Sequence, residues 1–256
     1  MKLKLSYILS LIISASIILC SCSAANASDG KPETSDTDIT SARYVELGWE
    51  YIDSFIFIGE STTAHLKSRG VLSGGTETKQ VWSPKNATVN LDTTTGTLKI
   101  VYPETQEEIS IGEAAKRKRP QRVMLTFGLN GAVSKIKKGE KYFTACYLSL
   151  INVILENSPD TEIFIHSCFP IAADMDTSAY SVDARTLNGY ISTLNGWAKN
   201  MASEHGYEYI DTWEVLVGND GFLLNKYHVG DGHHLTAEAY LEMLEFIRTH
   251  AKTEDI

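Results

Sequence analysis

The sequence predicts an α/β domain built on a mostly parallel central sheet, and three observations carry that expectation. Phe55–Ile58, Arg122–Phe127 and Glu162–His166 are short, nearly continuous apolar runs, as expected of strands buried on both faces. Between them lie segments with helical apolar spacing, chiefly Tyr142–Leu155 and Ala184–Ala202. The strand candidates also run into polar residues, at Ser61, Asn130, Ser167 and, after the short run Tyr207–Ile210, Asp211. Sites in parallel sheets form at the carboxyl ends of strands, so these four are expected at one rim.

In chain order, the first segment stands apart from that pattern. Lys2 and Lys4 precede the apolar run Ile8–Leu19, which ends at Leu19-Cys20-Ser21-Cys22. A basic start, a short apolar stretch and a small residue before a cut site describe a secretory signal, and the run is short for a membrane span. Leucine three before a cysteine, with serine just before it, resembles the lipobox of bacterial lipoproteins. The resemblance implies cleavage before Cys22, lipid on its sulfur, and an extracytoplasmic protein anchored to the bacterial cell membrane. Cys20 fits less well, since Leu19 would then fill the small-residue position; the bland alternative is an ordinary signal with incidental cysteines. Ser23–Ser41 is rich in Ser, Ala, Asp, Thr and Gly, and cannot bury enough surface to offset its ordering entropy. Residues 1–21 are therefore read as signal, 22–41 as a flexible tether, and 42–256 as one folded domain.

Within that domain, Tyr44, Leu47, Tyr51 and Ile52 predict a helix over Arg43–Asp53, feeding the strand Phe55–Ile58. Gly59-Glu60-Ser61 then makes a tight turn into a second helix, with Ser61 at its start. Gln80–Trp82 is a short strand candidate, and Ser83-Pro84-Lys85-Asn86-Ala87 a loop. Thr97–Tyr102 and Glu108–Ile111, either side of Pro103-Glu104-Thr105-Gln106, predict a small inserted antiparallel hairpin. Lys116-Arg117-Lys118-Arg119 is read as a solvated helix end ahead of Pro120 rather than a patch for an anionic polymer. Glu238–His250 closes the domain as an amphipathic helix with Tyr240, Met243, Leu244 and Ile247 on one face.

Composition excludes some functions. The formal net charge is −9, and the signal segment contributes lysines but no acids, so the mature chain is more acidic still. That argues against nucleic acid as a partner. Of four cysteines only Cys146 and Cys168 fall in the domain; they can pair in an oxidising compartment but lack the spacing of a metal site.

The chemistry lies in Asp231-Gly232-His233-His234-Leu235, just before the last helix. An acid three residues before a histidine can accept from one ring nitrogen and leave the other to take a proton from a serine. A serine hydroxyl is a weak nucleophile and needs such a base. Ser61 is the candidate nucleophile, His234 the base and then acid, and Asp231 the group that orients it; the spacing favours His234 over His233.

Gly59-Glu60-Ser61, Gly128-Leu129-Asn130 and Asp231-Gly232-His233-His234-Leu235 resemble, in order and wide separation, the motif blocks of the SGNH (GDSL-like) hydrolases. The resemblance implies a flavodoxin-like three-layer α/β/α fold and ester hydrolysis through an acyl-serine, without a metal or cofactor. It implies an oxyanion hole made of the Ser61 N–H, a glycine N–H from a second block and the Asn130 side chain. Two departures stand out. Gly-Glu-Ser replaces the usual Gly-Asp-Ser, and the second-block glycine is missing, with Ala87 offering a backbone N–H in its place. With surface tethering, the expected substrate is an ester such as an O-acetyl group on a glycan or cell-envelope polymer. An O-acyltransferase with the same triad, or a non-catalytic glycan- or envelope-binding protein on the same fold, are the alternatives. His166 is expected to be a satisfied core histidine, Trp49, Trp82, Trp197 and Trp213 core residues, and His65 and His228 have no partner identifiable from sequence.

Overall fold

The computed structural model of the protein describes residues 44–252; the signal segment, Cys22 and the tether lie outside them. Five strands form the central sheet: β2 (Phe55–Gly59), β3 (Val81–Trp82), β6 (Arg122–Thr126), β7 (Glu162–His166) and β8 (Glu208–Ile210). Their order is β3-β2-β6-β7-β8, and every neighbouring pair is parallel. After β2 the chain moves outward to β3 and then returns to the other side of β2 to form β6. The direction of winding therefore reverses between β2 and β6, where open α/β sheets place their ligands.

The apolar runs alternate between two cores, which is why neither face of the sheet meets water. Ile56, Ile58, Val123, Leu125, Ile163 and Ile165 pack beneath α3 (Ile111–Lys118), α5 (Glu140–Asn157) and α6 (Ala184–His205). Phe55, Phe57, Met124 and Phe164 face α1 (Trp49–Asp53), α2 (Ser61–Ser68), α7 (Trp213–Leu216) and α8 (Ala237–Thr249). Phe55 meets Tyr51 and Phe164 edge-on at 5.1 and 4.9 Å. Burying each such ring contributes about 1.5–3 kcal/mol. The result is a three-layer α/β/α fold with a wholly parallel described sheet.

The remaining elements are peripheral. β4 (Lys99–Val101) and β5 (Glu108–Ser110) form the expected antiparallel hairpin. α3 ends at Lys118, and Arg119 turns out of it with φ +47°. Arg117 and Lys118 pair with Glu107, Glu113 and Glu104, so the basic run is a solvated helix end held by local acids. A short α4 (Ala132–Lys138) precedes α5.

One expected element changes. Instead of a helix over Arg43–Asp53, β1 (Tyr44–Val45) pairs with β9 (Ala251–Lys252), and α1 begins only at Trp49 after an extended Gly48. Pairing with a segment about two hundred residues away in the same chain satisfies the backbone there, and helical spacing in the sequence carries no sign of it. Trp49 is consequently 42% exposed rather than a core residue.

Candidate active site

Ser61 is positioned by the abrupt end of β2. A side chain at Gly59 would meet Thr63 Oγ1 at 2.2 Å and the Thr126 carbonyl at 2.5 Å, so only glycine lets the strand end this close to β6 and α2. Glu60 stays extended, and its carbonyl accepts from the Thr63 and Ala64 amides at 2.9 and 3.2 Å to start α2. Ser61 is thus the first helical residue, where backbone N–H groups have no acceptor within the helix.

Its partner comes from the far end of the chain. Ser61 Oγ lies 2.9 Å from His234 Nε2, and His234 Nδ1 lies 2.8 Å from Asp231 Oδ2. Asp231 Oδ1 accepts from the backbone amides of His233 and His234 at 3.1 and 2.9 Å, a local turn that holds carboxylate and imidazole together. Burial works to raise the Asp231 carboxyl, but these amides and the His234 ring overcome it and hold it well below the usual carboxylate range. His228 builds the same loop, its Nδ1 accepting from Gly230 and Gly232 at 3.2 and 3.0 Å. Gly232, at φ +82°, leaves no room for a Cβ, which would sit 2.6 Å from Met175 Cβ. Two further bonds lock the loop and α8 to α2: Arg69 Nε donates to the Leu235 carbonyl at 3.2 Å, and the Tyr240 hydroxyl donates to the Thr62 carbonyl.

Glu60 is the feature whose role the sequence does not announce. Only 2% exposed, its carboxylate accepts three backbone amides from the loop after β6: Gly128 at 3.1 Å, Leu129 at 3.1 Å and Asn130 at 3.0 Å. The residue beside the serine therefore gathers the loop that carries Asn130. Burial raises the Glu60 carboxyl above its ordinary range, while the three amides and nearby Lys135 oppose that rise. Lys135, itself buried, donates to the Asn130 carbonyl.

Asn130 is thus brought to Ser61's side of the sheet through its backbone. Its side-chain Nδ2, expected as an oxyanion donor, instead donates to Thr88 Oγ1 at 3.0 Å and to the Val89 carbonyl at 3.4 Å, tying its loop to the one after β3. The expectation for Ala87 needs correcting. Ala87 has φ +55°, the left-handed conformation that suits glycine, but its N–H donates to the Pro84 carbonyl at 2.8 Å. That amide closes a turn and is not free to act as an oxyanion donor. The helix carrying Ser61 and the inserted hairpin border a cleft of about 540 Å³, lined among others by Ala64, Lys67, Pro84, Ala87 and Val101.

The other two residues expected at the rim do not join the site. Ser167 is fully buried and accepts from the Thr212 amide at 3.0 Å. Asp211 accepts from the Trp213 amide at 3.1 Å and lines a separate cleft of about 590 Å³ at β8, which includes none of Ser61, Asp231 or His234. His166 is a satisfied core histidine, bonded to Thr126 Oγ1 and Thr212 Oγ1 at 3.1 and 2.8 Å and pushed down to about 3 by burial. His65, one turn along α2, places its ring 4.3 Å from that of His234, with its buried Nδ1 unpartnered. Four-residue spacing from Ser61 was the available signal for His65, but it acquires meaning only once His234 is located. Cys146 and Cys168 are buried and unpaired, and Trp82 is fully buried.

The arrangement can pass a proton from a serine hydroxyl to an imidazole steadied by a carboxylate, beside a helix N-terminus suited to developing negative charge. Comparison with known proteins points the same way. Residues 57–241, well over half of the chain, match the profile described as the GDSL-like Lipase/Acylhydrolase family. No curated protein matches the sequence significantly. Among solved structures, a GDSL-like lipase from Bacteroides thetaiotaomicron is similar, with 17% identity, 79% of this chain and 90% of the other covered, and a TM-score of 0.50. A Streptococcus pneumonia protein provisionally assigned as a platelet activating factor shares 18% identity over 76% of this chain and 82% of its own, with a TM-score of 0.52. A provisionally assigned acylhydrolase from Bacteroides fragilis shares 18% identity over 76% and 84%, with a TM-score of 0.50. These likenesses establish the fold, and the family match establishes more: the chain belongs to the GDSL-like lipase/acylhydrolase family and is an ester-hydrolysing enzyme.

Proposed function

We propose that this esterase removes acyl groups, such as acetyl, from a glycan or cell-envelope polymer outside the cytoplasm, while anchored to the cell membrane by lipid on Cys22. The observation that carries the chemistry is the unbroken chain Ser61–His234–Asp231, at 2.9 and 2.8 Å. Ser61 Oγ attacks the ester carbonyl as its proton passes to His234 Nε2, and the oxyanion forms against the Ser61 N–H. The acyl–oxygen bond breaks, His234 protonates the departing alkoxide, and an acyl-Ser61 ester remains. Water then gives His234 a proton as it attacks that ester, the carboxylic acid leaves, and the proton returns to Ser61. Asp231 stays ionised and steadies the imidazolium in both halves.

Location and substrate class rest on the Lys2–Cys22 segment, which would hold the domain at the cell surface. The test is purified protein from Cys22 onward, assayed on a short aryl ester and on a panel of acetylated glycans, with Ser61→Ala as control. Hydrolysis that Ser61→Ala abolishes supports the assignment; equal rates in the two proteins overturn it. Acetyl transfer to an added glycan in place of release to water would make the chain an acyltransferase. Globomycin-sensitive processing and labelling by a palmitate analogue would test the anchor, and loss of labelling in Cys22→Ala is the expected result.

A further inference from the structure

The loop that supplies the histidine also gathers a second set of ligands. Asp231, His233 and His234 offer a carboxylate oxygen and two imidazole nitrogens, all within 4.8 Å of one another. His234 Nδ1 lies 2.8 Å from Asp231 Oδ2, and His233 Nδ1 lies 3.7 Å from Asp231 Oδ1. A tetrahedral zinc ion with bonds of about 2.0–2.1 Å spaces its ligand atoms by about 3.3 Å, so binding requires His234 Nδ1 and Asp231 Oδ2 to part slightly and His233 Nδ1 to leave the Asp231 carbonyl it meets at 3.3 Å. The side chains of Asp231, His233 and His234 are 40%, 23% and 20% exposed, so an ion can reach them from solvent. Their frame is set by the main chain, since Asp231 Oδ1 holds the amides of His233 and His234 and His228 holds those of Gly230 and Gly232. One oxygen and two imidazoles form a donor set that suits zinc rather than calcium or magnesium.

From this geometry we infer that Asp231, His233 and His234 form an inhibitory zinc site superimposed on the esterase centre. The inhibition, though not the binding, rests on the serine-esterase reading. A neutral imidazole carries one proton. In the competent arrangement that proton sits on His234 Nδ1 towards Asp231, and Nε2 is free to accept from Ser61. Zinc takes the lone pair of Nδ1, so the proton resides on Nε2, facing Ser61 Oγ. His234 then cannot take the serine proton. Asp231 Oδ2 passes from the imidazole to the metal, His233 ligates through Nδ1 with its own proton on Nε2, and water completes the tetrahedron. No net proton is released by this exchange, and no redox step is involved.

Zinc chloride is titrated calorimetrically into wild type and His233→Ala in a non-chelating buffer at neutral pH, with circular dichroism to verify that both are folded. The same proteins are assayed for ester hydrolysis across the zinc series, each relative to its own metal-free rate, and again after EDTA. The expected result is one zinc ion per wild-type protein, loss of hydrolysis that EDTA restores, and a dissociation constant raised by about tenfold or more in His233→Ala. A second variant, His233→Gln, keeps a polar side chain and should weaken zinc similarly. Equal affinity in wild type and both variants, or no saturable binding, overturns the site. Saturable binding that leaves hydrolysis unchanged overturns the inhibitory role. A protein that hydrolyses no ester but binds zinc through His233 retains the site and removes the esterase reading instead.

Discussion

Two sides of the same serine are built in opposite ways. On one side, Ser61, His234 and Asp231 meet side chain to side chain in a partly exposed chain recruited from both ends of the domain. On the other, the buried Glu60 carboxylate meets only backbone, collecting the amides of Gly128, Leu129 and Asn130. The first side needs particular chemical groups, because a proton must move between them. The second needs a particular shape, because its product is a loop held in place. A carboxylate at that position is costly to bury, and three amide donors with Lys135 nearby offset part of that cost. The difference suggests that replacing a group on the first side removes chemistry outright, whereas replacing one on the second misplaces it.

That contrast can be broken by mutation. Ser61→Ala should lower kcat on an aryl ester by about 10⁴–10⁶, with KM little changed. Asp231→Asn should cost about 10³–10⁴ by releasing the His234 tautomer, measured as kcat at neutral pH. Glu60→Gln turns a donor towards one of the three amides, and the expected loss is about 10² in kcat with little change in KM. A loss as large as that of Ser61→Ala would place Glu60 in the chemistry and erase the distinction.

The acid titration of Glu60 sharpens the same point. Its raised folded value means that the native state binds the proton more tightly than the unfolded chain does. Above that value the buried charge costs stability, and the cost is relieved as pH falls from it towards the ordinary carboxylate range. Urea unfolding across that window should therefore show wild type gaining stability relative to Glu60→Gln as pH falls; a relative loss would contradict the burial argument. The smallest effect is expected for Thr88→Val, which removes the nearer of the two acceptors of Asn130 Nδ2 and leaves the Val89 carbonyl. It should cost about 1 kcal/mol in chemical denaturation and change kcat less than tenfold.

Legibility in the sequence followed the physical range of each interaction. The strands at Phe55, Arg122 and Glu162 were readable because burial on both faces demands continuous apolar runs. The Asp231–His234 pairing was readable because it is local, three residues across a turn. Tyr44–Val45 misled because its partner lies at Ala251–Lys252, and a periodicity rule sees only neighbours. Ala87 misled for a related reason: its left-handed backbone fits the glycine expected there, but its amide is spent on Pro84, which no residue-type pattern reports.

The sequence by itself determined the class of fold, the family and the three residues able to form a triad, since these depend on composition along the chain and on motif order. Only the tertiary structure decided what Glu60 does. Its three partners are backbone amides, which every residue but proline possesses and no sequence distinguishes. Packing β2 against β6 brings that carboxylate to the loop after β6, and a residue that read as a departure from the family motif becomes the group that holds the loop beside the serine.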